Sequence, residues 1–182
     1  MMHTKKITLW GIMGALALAV SFLENCFELP FLPPGAKPGL ANIITMASAA
    51  CWGWGGALYI TIIKSLFALF SRGATAFLLS AAGGLLSAAV IVLCLKAGRC
   101  PFSYIGIGIL GALTHNAAQL AAACLLTGTP ALLYYAPVLI LCAVLFGNVT
   151  GIVLKILLPV LQRALQKDNS AKVKNHTRGD RN

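Results

Sequence analysis

The sequence predicts an all-α membrane protein, a bundle of six transmembrane helices with both termini in the cytoplasm. Three observations carry that expectation. Apolar residues make up 59% of the 182 residues, against roughly 45–50% in soluble domains. Charged residues fall to 10%, against about 25% in soluble domains, and mean hydropathy is +0.86. Four acids and fourteen bases cannot cover a soluble fold of this length, even with every Ser, Thr and Asn facing water.

A span needs about 20 apolar residues, within a range of roughly 17–25. The first run, 7–23, follows Lys5 and Lys6. A charged start and small residues at Ala15, Ala17 and Ala19 also describe a secretory signal peptide. Cleavage would leave an odd number of spans, so the first helix is read as retained. Segment 24–38 holds Pro30, Pro33, Pro34 and Pro38, a density that no helix sustains. It reads as a structured extracytoplasmic loop beginning at Glu24, with Phe27, Leu29, Phe31 and Leu32 dipping back towards the protein.

Residues 40–70 would measure roughly 46 Å as one helix, too long for one span. The run Trp52-Gly53-Trp54-Gly55-Gly56 divides them, because tryptophan favours the headgroup level and glycine permits a tight turn. Two short helices result, 40–52 and 55–70. The fourth follows at 75–95, the fifth at 104–126 and the sixth at 131–158, bent at Pro137. These six define a transmembrane domain over 1–162, followed by a basic, disordered tail over 163–182.

Loop charges set the orientation. Lys5 and Lys6, Lys96 and Arg99, and the six bases from Arg163 onward share one side of a six-span chain. Glu24, Glu28, Lys37 and Arg72 lie on the other, so the positive-inside rule places both termini in the cytoplasm. A net charge of +10 then suits anionic lipid beside the bilayer rather than nucleic acid, for which no basic face with interleaved aromatics exists. The six cysteines lack metal-ligand spacing and read as small buried hydrophobes. No metal or cofactor is implied, and no nucleophile or partner acid makes a catalytic site.

Ionisable and polar groups at membrane depth are the functional candidates. Lys64 and Arg72, in and at the end of the third helix, either snorkel to the interface or line a pocket for an anion. His115, Asn116 and Gln119 fall within little more than one turn of the fifth helix, as interhelical glue or as ligand contacts. Asn42 either caps the second helix or bonds across to a neighbour, and Asn148 reads as packing glue. Gly83, Gly84, Gly106, Gly108 and Gly111 allow close helix approach or leave room for a ligand. Gly11, Ala15 and Ala19 recur every four residues, a small-residue stripe suited to packing within the chain or against a partner.

Three stretches together resemble a known family. They are Lys37-Pro38-Gly39-Leu40-Ala41-Asn42-Ile43, Ser80-Ala81-Ala82-Gly83-Gly84-Leu85-Leu86-Ser87, and Gly111 through His115-Asn116 to Gln119. Their order and spacing, over residues 7–160, resemble the Gx transporter family, also labelled heptaprenyl diphosphate synthase component I. That family is similar to the substrate-binding S components of energy-coupling factor importers, six-helix proteins that dock onto a coupling subunit and paired ATPases. The resemblance implies that Ala15 and Ala19 contact a coupling subunit, and that Lys37 to Asn42 form part of a substrate lid and the start of the second helix. Pro38 stands where an aliphatic residue is expected.

The expected function is therefore an S-component-like importer module in a bacterial inner membrane, not an enzyme, for a small anionic or polar nutrient. Lys37, Asn42, Lys64, Arg72, His115, Asn116 and Gln119 are the candidate pocket residues. Gly11, Ala15 and Ala19 are the candidate docking residues for a coupling subunit with its ATPase pair. The alternative is a non-catalytic accessory subunit of prenyl diphosphate synthesis. Chain elongation itself needs aspartate-rich motifs holding magnesium on diphosphate, and no two acids here stand closer than Glu24 and Glu28.

Overall fold

The computed structural model describes residues 2–26, 39–97 and 103–179, with side chains over 7–26, 39–97 and 103–163. Its elements are α1 (Met2–Cys26), α2 (Asn42–Trp52), α3 (Trp54–Arg72), α4 (Ala74–Lys96), α5 (Tyr104–Thr127), a 3-10 turn (Pro130–Tyr135) and α6 (Ala136–Gly179). Five segments are long and apolar enough to cross a bilayer: those built on α1, α3, α4, α5, and the 3-10 turn with α6. The chain is a multi-pass membrane protein.

Six helices are present as expected, but α2 is too short to cross a bilayer alone. Its 11 residues rise only roughly 16 Å, about half of a ~30 Å hydrocarbon core. So short a helix survives at depth because its neighbours enclose it: Asn42 and every residue from Ile44 to Ala49 are buried. The break after it falls where the Trp-Gly run predicts. Gly53 takes φ 62 and donates its N–H to the Ala49 carbonyl at 2.8 Å, a backbone shape that side chains disfavour. The chain then folds back as α3.

Trp10 of α1 packs on Trp52 with ring centroids 5.1 Å apart and on Tyr59 at 4.9 Å. This aromatic group marks one end of the bundle. Lys96 Cε lies 3.7 Å from the point where a Gly53 Cβ would stand, and Leu158 and Gln162 of α6 join both residues around a cavity of 320 Å³. The early part of α1 and residues 158–162 of α6 therefore share an end. At the opposite end, Asn25 Nδ2 donates to Ser71 Oγ at 3.5 Å.

Met13, Ala17, Met46, Ala47, Ile60, Ile91 and Leu154 form the apolar core. The tightest approach joins α5 to α6. A Cβ on Gly147 would stand 2.5 Å from Ile109 Cα, and one on Gly108 2.5 Å from the Gly147 carbonyl oxygen. Gly147 and Gly151 are four residues apart, the small-residue spacing that lets membrane helices touch backbone to backbone. Asn148 beside them donates to Val144 O of its own helix at 2.7 Å, so it is not glue between helices.

Three boundaries differ from the sequence reading. α1 continues to Cys26, which makes Glu24 helical rather than part of a loop, since no proline precedes Pro30. Pro137 starts α6 instead of bending it, because the first turn has no intrahelical use for the missing N–H. α6 runs on to Gly179 rather than ending near 158, as Leu, Gln, Ala and Lys are strong helix formers. Of the segment expected to form the proline-rich loop, 24–38, residues 27–38 lie outside the described residues.

Replacing Gly147 with leucine forces α5 and α6 apart. The expected loss is about 1–3 kcal/mol, read as a lower unfolding midpoint in detergent. Gly11→Ala, where an added Cβ meets nothing within 4 Å, is expected to leave the midpoint where it is.

Candidate functional site: a buried polar layer around the start of α2

A helix N-terminus leaves backbone N–H groups unpaired, and the start of α2 is buried, with Ala41 and Asn42 shielded from water by neighbouring helices. The surrounding residues supply the partners. Asn42 and Ile43 N–H donate to the carbonyls of Gly39 and Leu40 at 3.0 Å each. Ala41 N–H donates to Glu24 Oε1 of α1 at 3.2 Å. The carboxylate also faces the positive end of the α2 dipole, a favourable placement.

Lys64 of α3 grips the same turn from the other side. Its ammonium donates to Asn42 Oδ1 at 3.0 Å. Glu24 and Lys64 are only 6% and 9% exposed, and the Glu24 charge acts on Lys64. Lys64 is therefore drawn inward to a partner and does not snorkel.

The layer continues into α4 and α5. A Cβ on Gly84 would stand 2.7 Å from Thr61 Cγ2, and one on Gly83 would stand 2.9 Å from Gln119 Cγ and from the His115 ring. These glycines are filled by neighbouring side chains and serve packing. His115, Asn116 and Gln119 are all buried. Asn116 Nδ2 donates to Leu139 O of α6 at 3.0 Å, so half of that amide is interhelical glue.

What remains is a set of buried polar atoms with no hydrogen-bond partner. Asn42 Nδ2, Thr45 Oγ1, Ser48 Oγ, Thr61 Oγ1, Asn116 Oδ1 and Gln119 Oε1 are all in this state. Each costs about 1–3 kcal/mol when left unpaired, and the bilayer offers no relief. Buried polar groups without partners are candidates for contact with a polar molecule, and they lie on α2, α3 and α5, apart from the cavity beside Lys96.

Of the residues singled out in the sequence, Asn42 and Lys64 are in direct contact, and His115, Asn116 and Gln119 lie in the same region on α5. Arg72 does not join them. It stands at the end of α3, roughly 12 Å further along the axis than Lys64, and is half-buried. Lys37 lies outside the described residues. Gly11, Ala15 and Ala19 are exposed on the outer face of α1, whereas Met13, Ala17, Ser21 and Glu24 face inward.

The sequence reading missed Glu24 as an interior residue and overlooked Thr45, Ser48 and Thr61. A signal for two of them was present. Asn42, Thr45 and Ser48 are three residues apart, a spacing that keeps them on neighbouring positions of one helix face.

Lys64→Met removes a hydrogen bond to a charged group and leaves Glu24 without its counter-charge. The expected loss of unfolding free energy is about 1.5–3 kcal/mol or more, measured by denaturant unfolding in mixed micelles. Lys64→Arg, which retains charge and donors, is expected to recover part of it.

Three comparisons with known proteins frame this site. The family model for heptaprenyl diphosphate synthase component I matches residues 13–157, a stretch that contains every described residue of the layer. No curated protein and no solved structure matches the chain.

Proposed function

This chain belongs to the heptaprenyl diphosphate synthase component I family, and we propose that it works as the substrate-binding membrane component of an importer. It holds a small polar molecule between α2, α3 and α5 and hands it on by docking to a coupling subunit that carries an ATPase pair. The observation that carries this reading is the set of buried, unpartnered polar atoms on α2, α3 and α5. A purely structural bundle would gain stability by replacing those groups with apolar ones. A binding protein must retain them.

The exposed stripe on α1 supports the docking half of the proposal. Gly11, Ala15 and Ala19 are outward and continue the row that Ile7 and Leu23 begin and end, beside exposed Ile12 and Leu16, so small residues occupy the middle of an exposed helix face. A partner helix packs closely against such a surface. Docking moves substrate only when the partner prefers one state of the binding component over another, since equal affinity for both states shifts nothing. With the basic ends facing the cytoplasm, the layer lies on the route from the outside.

The family's description supplies a second reading, a non-catalytic accessory subunit of prenyl diphosphate synthesis. The scarcity of carboxylates argues against catalysis by this chain, because diphosphate chemistry needs clustered acids to hold magnesium. Either role leaves this chain without an active site of its own.

Isolation of the full chain from its native membrane, followed by mass spectrometry of associated proteins and small molecules, separates the two. The importer reading predicts a stoichiometric small molecule together with coupling and ATPase subunits. Recovery with a prenyl synthase subunit and no small molecule contradicts it. Ala15→Trp places a bulky ring on that α1 face and is expected to cut recovery of the coupling subunit at least tenfold, with the unfolding midpoint unchanged.

A further inference from the structure

We infer that the cavity at the Lys96 end of the bundle is a seat for the anionic headgroup of a phospholipid. It is a second site, separate from the layer around α2, and it does not rest on the importer reading.

Depth is the first argument. Two of the apolar spans meet the cavity with their ends, Ala74–Lys96 at its last residue and Tyr104–Thr127 at its first. Gly53 also lines it, next to Trp52, whose ring packs on Trp10. Span ends and tryptophans both belong to the headgroup level of a bilayer. The molecules that crowd that level have charged heads joined to apolar chains.

The walls match that chemistry. Ala49, Val92 and Leu158 are buried and form an apolar floor, whereas Lys96, Tyr104 and Gln162 are exposed at the mouth. The mouth supplies an ammonium, a phenol hydroxyl and an amide, each able to donate to a phosphate oxygen. Among the described residues, no hydrogen bond or ion pair engages these three side chains.

Charge and size complete the case. Arg163 follows Gln162 and is exposed, which adds a second cation at this end. Glu24 is the acid among the described side chains, and it adjoins Asn25, which reaches Ser71 at the opposite end. Arg99, Lys167 and Asp168 lie outside the residues whose side chains are described. Basic pockets between membrane helices take anionic lipid heads. The volume of 320 Å³ is at the low end of ligand pockets, roughly 300–1,000 Å³, so it admits a head and leaves the chains outside. Exposed Leu93 of α4, with Ile156 and Val160 of α6, offers those chains an apolar surface at the same end.

The full chain, purified in a neutral detergent, is titrated with phosphatidylglycerol, phosphatidylcholine or inorganic phosphate. Unfolding midpoints and lipid retention by native mass spectrometry are read for wild type, Lys96→Gln and Lys155→Gln. Lys155 is an exposed cation of α6 that does not line the cavity. Without lipid, both variants are expected to match the wild-type midpoint, since both lysines are exposed. Phosphatidylglycerol is expected to be retained and to raise the midpoint, with affinity falling roughly fivefold or more in Lys96→Gln and holding in Lys155→Gln. Phosphatidylcholine and inorganic phosphate are expected to raise nothing. An equal rise with inorganic phosphate makes this a site for a free anion and overturns the lipid. Equal retention of phosphatidylcholine, or an equal loss in both lysine variants, overturns the headgroup seat. So does the absence of retained lipid, whatever protein accompanies the chain.

Discussion

The structure depends on satisfying the start of one short helix inside a membrane. α2 begins buried among its neighbours, where its backbone N–H groups are shielded from water. Glu24 accepts from Ala41 N–H, Lys64 donates to Asn42, and the Gly39–Leu40 turn takes the next two donors. Two charges otherwise costly at that depth become the clasp that holds α2 between α1 and α3. Residues from Ile44 to Ala49 can then be buried on nearly every side. A full-length span would have needed no such clasp.

Close packing of the remaining helices serves the same end. Gly83 and Gly84 bring α4 against Thr61 on one side and against His115 and Gln119 on the other, and Gly108, Gly147 and Gly151 do the same between α5 and α6. Membrane helices gain little from hiding apolar surface, so contact quality decides their association. Close approach keeps the polar layer narrow and shields it from lipid. The 320 Å³ cavity lies elsewhere, at the Lys96 end, and is lined largely by apolar residues.

Much of this was legible in the sequence, for identifiable reasons. Long apolar runs gave the spans, and the Trp52–Gly56 run gave the hairpin at Gly53, because both signals are local. Asn42, Lys64, His115, Asn116 and Gln119 stood out because polar groups are rare at depth. Glu24 was misread because its burial depends on helix α1 outlasting its apolar run, and on a partner seventeen residues away. The glycines at 83 and 84 carried two meanings in sequence, room or contact, and only the facing side chains distinguish them. Pro137 likewise has one meaning inside a helix and another in its first turn. Its place depended on where α6 begins, which the apolar run alone did not mark.

The clasp and the layer lead to one central claim: the atoms left unpaired around α2 are there for a bound polar molecule. A density map of the protein isolated with its natural contents tests that most directly. The account predicts non-protein density within hydrogen-bond distance of Asn42 Nδ2 and Asn116 Oδ1. Density confined to the cavity beside Lys96 and Tyr104, with only side chains or water around the start of α2, would contradict it.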